Sequence, residues 1–513
     1  MDSKGTVSRV LRAWLSRPLV GMALALPSPI LAGEWPDPSA IRVGDETVAV
    51  ATSGGSAPIF RVLRSPDLRN WRIAGSVFPG RPRWAKTDFW APEITRLSNG
   101  RFAIFFSAMP RRGKSWYCLG MATAPAPEGP WRDLGRPLRC NKYGSIDPFP
   151  TRDERGHLYL LWKEDGNAFE RPTPIFAQKL REDGTRLLGR PRRLIRNNPK
   201  TWERKVIEAA HVERRGGYFY LLYSGGLCCT KRCAYAVGVA RSKRLLGPWR
   251  RYSGNPILRG GNGWRCPGHA TVVDDGAGGK EALFHAYRSG EGRIAGRQLL
   301  AAPFTYGANG WPRIGAGRPP APAIGAAATG FTDAFATLAP EWEYSVRRPP
   351  GIRTGAGLRL RAHRANRRRL DGGVLVRRVG TVNYTATASI DASSFDGSER
   401  LDGGTKAGIA SYRSGFEAIG IAVGNREAVV WQRRKGRFKQ RRTLLLPGTS
   451  VEHVRMVARG NRFLFQVSSD GATWRGVGRG FLRGPIEESA RFALTVGGER
   501  STSARFLSAS LQE

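Results

Sequence analysis

"SPDLRNW" (residues 65–71) decides the fold, because the chain returns to it. "APEGPW" ends at Trp131, "RLLGPW" at Trp249 and "YGANGW" at Trp311, and a looser copy, "REDGTRLLG", ends at Gly189. From Trp71 onward these marks fall 58 to 62 residues apart. A near-constant period over five units signals a repeat architecture. Each unit carries strand-like runs, such as "RFAIFFSAM" (101–109), "HLYLLWKED" (157–165), "GYFYLLYSGG" (217–226) and "EALFHAYRS" (281–289). Two or three clear strands plus one shorter strand make a four-stranded blade. Five blades around a channel make a β-propeller, which leaves only short, protected sheet edges.

The propeller is expected over residues 33–314. "GAGRPPAPAIGAAATG" (315–330) reads as a linker. Residues 331–513 hold many short alternating runs, among them "YTATASID" and "RFLFQVSSDGATW". Alternation buries one face per strand and predicts a two-sheet sandwich. The fold class is therefore all-β: a five-bladed β-propeller followed by a concanavalin-like (jelly-roll) β-sandwich.

Residues 1–32 read differently. Lys4, Arg9, Arg12 and Arg17 precede the apolar stretch "PLVGMALALPSPILA", which is short and broken by proline. That is the pattern of a secretory leader, with Ala32 its last residue. Secretion is the expectation, with no membrane contact beyond the leader. Six cysteines suit an exported chain, but their pairing cannot be deduced from sequence. "CCTKRC" (228–233) lacks a histidine at finger-like spacing, so a stapled loop is expected there rather than a zinc site.

The net charge is +42. Nucleic acid must then be weighed, yet the arginines are spread along the chain and no nucleic-acid-binding motif accompanies them. The dense runs are "RANRRRL" (364–370) and "WQRRKGRFKQRR" (431–442). A solvated basic surface is the simpler reading of them. Attraction to acidic glycans is the functional one.

Each unit also places one ionisable residue at the head of its first strand: Asp37, Glu93, Asp147, Glu208 and His269. The first strand of a blade is usually innermost, so these side chains should converge on one end of the channel. Carboxylates gathered in a concave site shift one another's pKa values, as acid/base work at neutral pH requires. Asp37 lies in "WPDPS", between two prolines, on backbone expected to be stiff and extended. Trp35, Trp84, Phe89, Trp90, Phe149 and Trp264 are candidates for a sugar platform, and equally for packing between blades.

"WPDPS", "FWAPEI", "SIDPFP", "VIEAAHV", "YAVGVARS", "PGHATVV" and "NGWP" together resemble glycoside hydrolase family 43 over residues 33 to about 315. The resemblance implies inverting hydrolysis of arabinofuranosyl or xylosyl linkages in polysaccharides or oligosaccharides. It makes Asp37 the general base, Glu208 the general acid and Asp147 the carboxylate that tunes and orients the acid. Trp90, Glu93, Phe149, His269 and Arg297 become substrate contacts. His269 is also the one metal-contact candidate, since in some members the channel histidine lies by a bound calcium; no cofactor is otherwise implied. Inversion needs a base and an acid about 6.5–9.5 Å apart to admit a water. Asp37 should stay ionised and Glu208, near Asp147, should have its pKa raised. An endo-arabinanase, a β-galactosidase on the same fold and a non-catalytic carbohydrate-binding protein are the alternatives. The sequence departs from the family in "EAAH" (208–211), where glycine–proline or alanine–proline commonly follows the acid.

Overall fold

The computed structural model describes residues 28–513 except 114–115, 230–232, 292–294, 324–329, 364–368, 396–403, 425, 447–450, 483–488 and 499–501. The leader over 1–27 and most of the first basic run therefore lie outside the described residues.

Five antiparallel sheets follow one another in chain order. Their first strands are Ser39–Val43, Ala85–Arg96, Ser145–Arg152, Ile207–Arg215 and Trp264–Asp274. In blades two to five the second strand is an almost continuous apolar run, as in Phe102–Pro110 and Tyr218–Gly225, and it is buried along nearly its whole length. The reason is that a blade packs on both its faces. Outer strands are wet and basic: in Leu187–Arg196 the arginines face solvent.

The repeat marks do not end the blades. Trp71, Trp131, Trp249 and Trp311 each stand immediately before the outermost strand. In three of these turns the indole N–H closes back on a carbonyl upstream: Trp71 on Leu68, Trp131 on Pro127 and Trp249 on Leu245. One turn chemistry thus recurs where one packing problem recurs.

Residues 28–32, read as the end of the leader, pack on blade five: Ile30 is buried and its N–H bonds Leu299 O, while Ser28 Oγ donates to Pro320 O. The described part of the linker is also bonded, since Trp264 Nε1 donates to Pro320 O and Asn262 Nδ2 to Pro319 O.

Residues 331–513 form two facing sheets. Strand Asn383–Asp391 shows the alternation clearly, burying Tyr384, Ala386, Ala388 and Ile390 against Ile421, Val430, Met456 and Phe465 of the common core. One sheet continues into the propeller, because Glu343–Ser345 pairs with Ser56–Ala57 of blade one. Beside this junction Glu343 is buried between Arg378 (2.8 Å) and Arg491 (3.0 Å). Arg378 also donates to Glu34 O and lies 4.0 Å over the Trp35 ring, three to two residues before Asp37. Arg378→Ala is therefore expected to cost about 3 kcal/mol in denaturant unfolding, the penalty for orphaning a buried charge. It should also lower kcat by loosening the segment that carries Asp37. Unchanged stability would mean the junction is ornamental.

Candidate active site

The five blades share a local irregularity, in the first strand or, in blade one, just before it. Asp37, Ala91, Asp147, Ala209 and His269 all have left-handed backbone, with φ between 43° and 57°. In blades two to five the strand register shifts at these residues, the signature of a β-bulge. Such backbone costs a non-glycine residue about 1–3 kcal/mol, so the surroundings must hold it. A side chain at each site does so by accepting the N–H bond. Asp37 N–H bonds His285 Nδ1 (3.1 Å), Ala91 N–H bonds Thr52 Oγ1 (2.7 Å) and Asp147 N–H bonds Ser107 Oγ (3.1 Å). Ala209 N–H bonds Asp147 Oδ2 (3.0 Å) and His269 N–H bonds Ser224 Oγ (2.8 Å). A glycine helps close the ring: a Cβ on Gly268 would lie 2.1 Å from the Tyr235 ring.

This ring corrects two sequence expectations. Asp37 is not extended; the prolines flank a left-handed residue (φ 54°). Nor are the five ionisable residues in register, since Glu208 precedes its bulge residue by one position and Glu93 follows Ala91 by two. The departure at "EAAH" is accommodated, because Ala209 adopts the glycine-like conformation itself (φ 57°).

Asp37 sits among cations. Arg297 Nη1 is 3.2 Å from its Oδ1 and His269 Nδ1 is 3.3 Å away, while Thr52 Oγ1 donates to Oδ2 at 2.8 Å. Burial opposes the charge, but Arg297 and His269 outweigh it and hold Asp37 far below the usual carboxylate range. The same pairing holds His269 up, at about 9, against its own burial, with Asp147 and Glu208 adding to the effect. His285 is driven the other way by burial and Arg297, stays neutral, and accepts the Asp37 N–H. Glu34 completes the frame by taking Arg297 Nε at 3.2 Å and its N–H at 3.0 Å.

Across the ring stands a second cluster. Asp147 is tied to the residue after Glu208, and burial raises it to about 7, with the Glu208 carboxylate adding to the rise. Glu208 accepts from Tyr235 Oη at 2.8 Å and pairs with Lys163 Nζ at 2.6 Å. Lys163 is buried and also pairs with Asp165 at 2.9 Å. The raised carboxyl of this cluster is Asp147, with the Lys163 cation working against the rise. Lys163→Met is expected to move the basic limb of the pH–rate profile upward by about one unit or more, since Lys163 lowers the Asp147 carboxyl and its loss leaves burial less opposed. An unmoved limb in a folded variant would remove Lys163 from the proton-handling group.

The remaining candidates divide. Trp90 is half-buried and stacks on Tyr117 at 4.4 Å, and Tyr117 Oη donates to Asp88 at 3.3 Å, leaving an aromatic wall beside the ring. Phe149 is instead buried between blades three and four, 4.7 Å from the His211 ring. Phe89 and Trp264 are likewise core residues. Glu93 is half-buried near Ser39, and desolvation of its carboxyl raises it to about 8. His269, the possible metal contact, turns its Nδ1 to Asp37 Oδ1 at 3.3 Å. Among the described residues no group of three or more histidine, cysteine or acidic side chains could hold a metal.

Lys163, Tyr235, Thr52, His285 and Glu34 were missed by sequence reasoning. Ser107, Lys163, Ser224 and His285 occupy equivalent second-strand positions opposite the bulges. The same repeat that exposed the first strands carried that signal. The cysteines pair as Cys118–Cys140, Cys228–Cys229 and Cys233–Cys266. The last staples the "CCTKRC" loop to the first strand of blade five, and Cys228 Sγ touches His285 Nε2 at 3.8 Å.

Comparison with known proteins agrees with this geometry. An extracellular endo-α-(1→5)-L-arabinanase of Bacillus subtilis is 26% identical over 341 residues, 61% of this chain and 99% of that protein. An extracellular exo-α-(1→5)-L-arabinofuranosidase of Cellvibrio japonicus is 27% identical, over 54% of this chain and 85% of its own length. The crystal structure of the GH43 protein BlXynB from Bacillus licheniformis superposes with a TM-score of 0.79 at 23% identity, over 95% of this chain and 99% of that one, and so shares both domains' fold. No helix among the described residues is long and apolar enough to cross a membrane. The model for glycosyl hydrolases family 43 matches residues 26–312, which span the whole carboxylate ring, and the chain belongs to that family of glycoside hydrolases.

Proposed function

We propose that this protein is a secreted, inverting glycoside hydrolase that cleaves arabinofuranosyl or xylosyl linkages in polysaccharides or oligosaccharides. One observation carries the reading: carboxylates on the same ring stand in opposite surroundings, Asp37 against Arg297 and His269 and Asp147 beside Glu208. Asp37 is locked as an anion by Arg297 and His269. Asp147, beside Glu208, is pushed up to about 7 by burial and the neighbouring carboxylate. An inverting displacement needs that division, because one carboxylate takes a proton from water while a carboxyl on the other face gives one to the leaving oxygen. Asp37 is the base and Glu208 the acid. Asp147 tunes and orients the acid, and Lys163 and Tyr235 fix the Glu208 carboxyl. Trp90 offers its face to a sugar ring.

The relatives' names support arabinose- and xylose-containing substrates, and two of them are named as extracellular. The test is a panel of arabino- and xylo-oligosaccharides with released sugars identified and the anomer followed by NMR. Release of the inverted anomer is expected, with turnover falling as pH rises through about 7 where Asp147 gives up its proton. First-formed product of retained configuration would reject the assignment.

A further inference from the structure

The basic run at 431–442 is not used by the hydrolytic site. Its strand, Arg437–Leu445, lies at the edge of one sandwich sheet with nearly every residue exposed. Beside it is an open groove of about 930 Å³. Arg441, Arg459, Arg462 and Arg479 line it, beside the partly exposed apolar side chains of Val457 and Leu464. No acidic side chain lines it, and among the described residues none of these four arginines forms an ion pair. Elsewhere in the same domain arginines are matched: Arg433 by Asp371 (2.7 Å), Arg413 by Glu417 (3.1 Å) and Arg505 by Asp391. The groove is therefore a place where the fold leaves cationic forks uncompensated. Further along the same strand as Arg459, Arg455 lies 3.7 Å over the Trp474 ring.

We propose that this groove binds a uronate-bearing polysaccharide and holds the hydrolase on acidic regions of its substrate. Guanidinium groups engage carboxylates as two-pronged donors, which lysine cannot imitate. The apolar side chains beside them suit the C–H faces of sugar rings. A free phosphate polymer would use the cations and leave the apolar side chains idle. The choice of a glycan over other polyanions rests on the hydrolase reading; the groove's binding of an anion does not. Tethering through the sandwich raises the substrate's effective concentration at the propeller without any new contact there.

The experiment uses the full chain, with polygalacturonate as the acidic glycan, linear neutral arabinan as its uncharged counterpart and duplex DNA as competitor. Retention on polygalacturonate but not on arabinan is expected, weakening steeply with added salt as screening shortens the reach of the charges. Replacing Arg441, Arg459, Arg462 and Arg479 together with glutamine should weaken binding about tenfold or more, each lost contact contributing a modest factor. Turnover of an aryl arabinofuranoside or xyloside by this variant should match the unaltered protein, which also reports folding. Should the fourfold variant fail to fold, Arg459→Gln and Arg479→Gln singly, each with a partial loss, take its place. Equal retention on arabinan, or binding unchanged by the substitutions, overturns the proposal. Displacement by DNA at far lower concentration than by galacturonate oligosaccharides overturns it in favour of nucleic acid. No turnover of aryl glycosides by the unaltered protein, with polygalacturonate binding intact, would strike the hydrolase reading and leave the groove standing.

Discussion

Asp37→Asn is expected to lower kcat about 10³- to 10⁴-fold, the upper range for removal of a positioned base. The substitution keeps the shape of the side chain. Its amide oxygen can still accept from Thr52 Oγ1 or Arg297, and the main-chain bond to His285 is untouched. What disappears is the negative charge. Water then has no acceptor for its proton on that face of the sugar. A second consequence sets a base apart from a mere binding residue. His269 is held at about 9 chiefly by its bond and charge interaction with Asp37, so in the variant its titration should fall back toward the ordinary histidine range, as NMR of the ring would show. Near-normal turnover, or a lost turnover with unmoved His269, would exclude Asp37 from the role assigned to it.

Glu208→Gln is expected to produce a loss that depends on the leaving group. A general acid matters most when the departing oxygen is a poor leaving group. Natural sugar alcohols should lose about 10³-fold or more, whereas aryl glycosides with acidic phenols should lose far less. Tyr235 Oη and Lys163 Nζ both face Glu208, and Lys163 keeps Asp165 as a partner, so the cluster retains most of its bonds. Substrate binding should survive, which KM for the aryl substrate reports. Equal losses on both substrate types would show that Glu208 is not the proton donor. In that case Asp147, raised to about 7 beside it, is the next candidate.

Taken with Lys163→Met and Arg378→Ala, these variants separate two supports of one ring. Lys163 acts from within the propeller on the acid side. Arg378 acts from the sandwich on the Asp37 side, through Glu34 and Trp35. Glu34 in turn holds Arg297, which touches Asp37. The second domain thereby reaches the base by a chain of direct contacts.

Much of this molecule was legible as sequence. The five marks from Trp71 to Trp311, the apolar second strands and the alternation beyond residue 331 determined a propeller and a sandwich, because periodic burial has to be written as periodic hydrophobicity. Asp37, Asp147 and Glu208 stood out because heads of innermost strands must meet at a channel. Only the tertiary structure decided how those heads are aimed. A single left-handed residue in each blade turns the side chains, and it is kept in place by Thr52, Ser107, Ser224 and His285 from neighbouring strands and by Asp147 from the blade before. A shift of one position there sets Glu208 against Lys163, and no local pattern encodes it. The charge states follow the same division, since they depend on which cations the folded chain brings within about 3 Å, across separations as long as the 260 residues between Asp37 and Arg297.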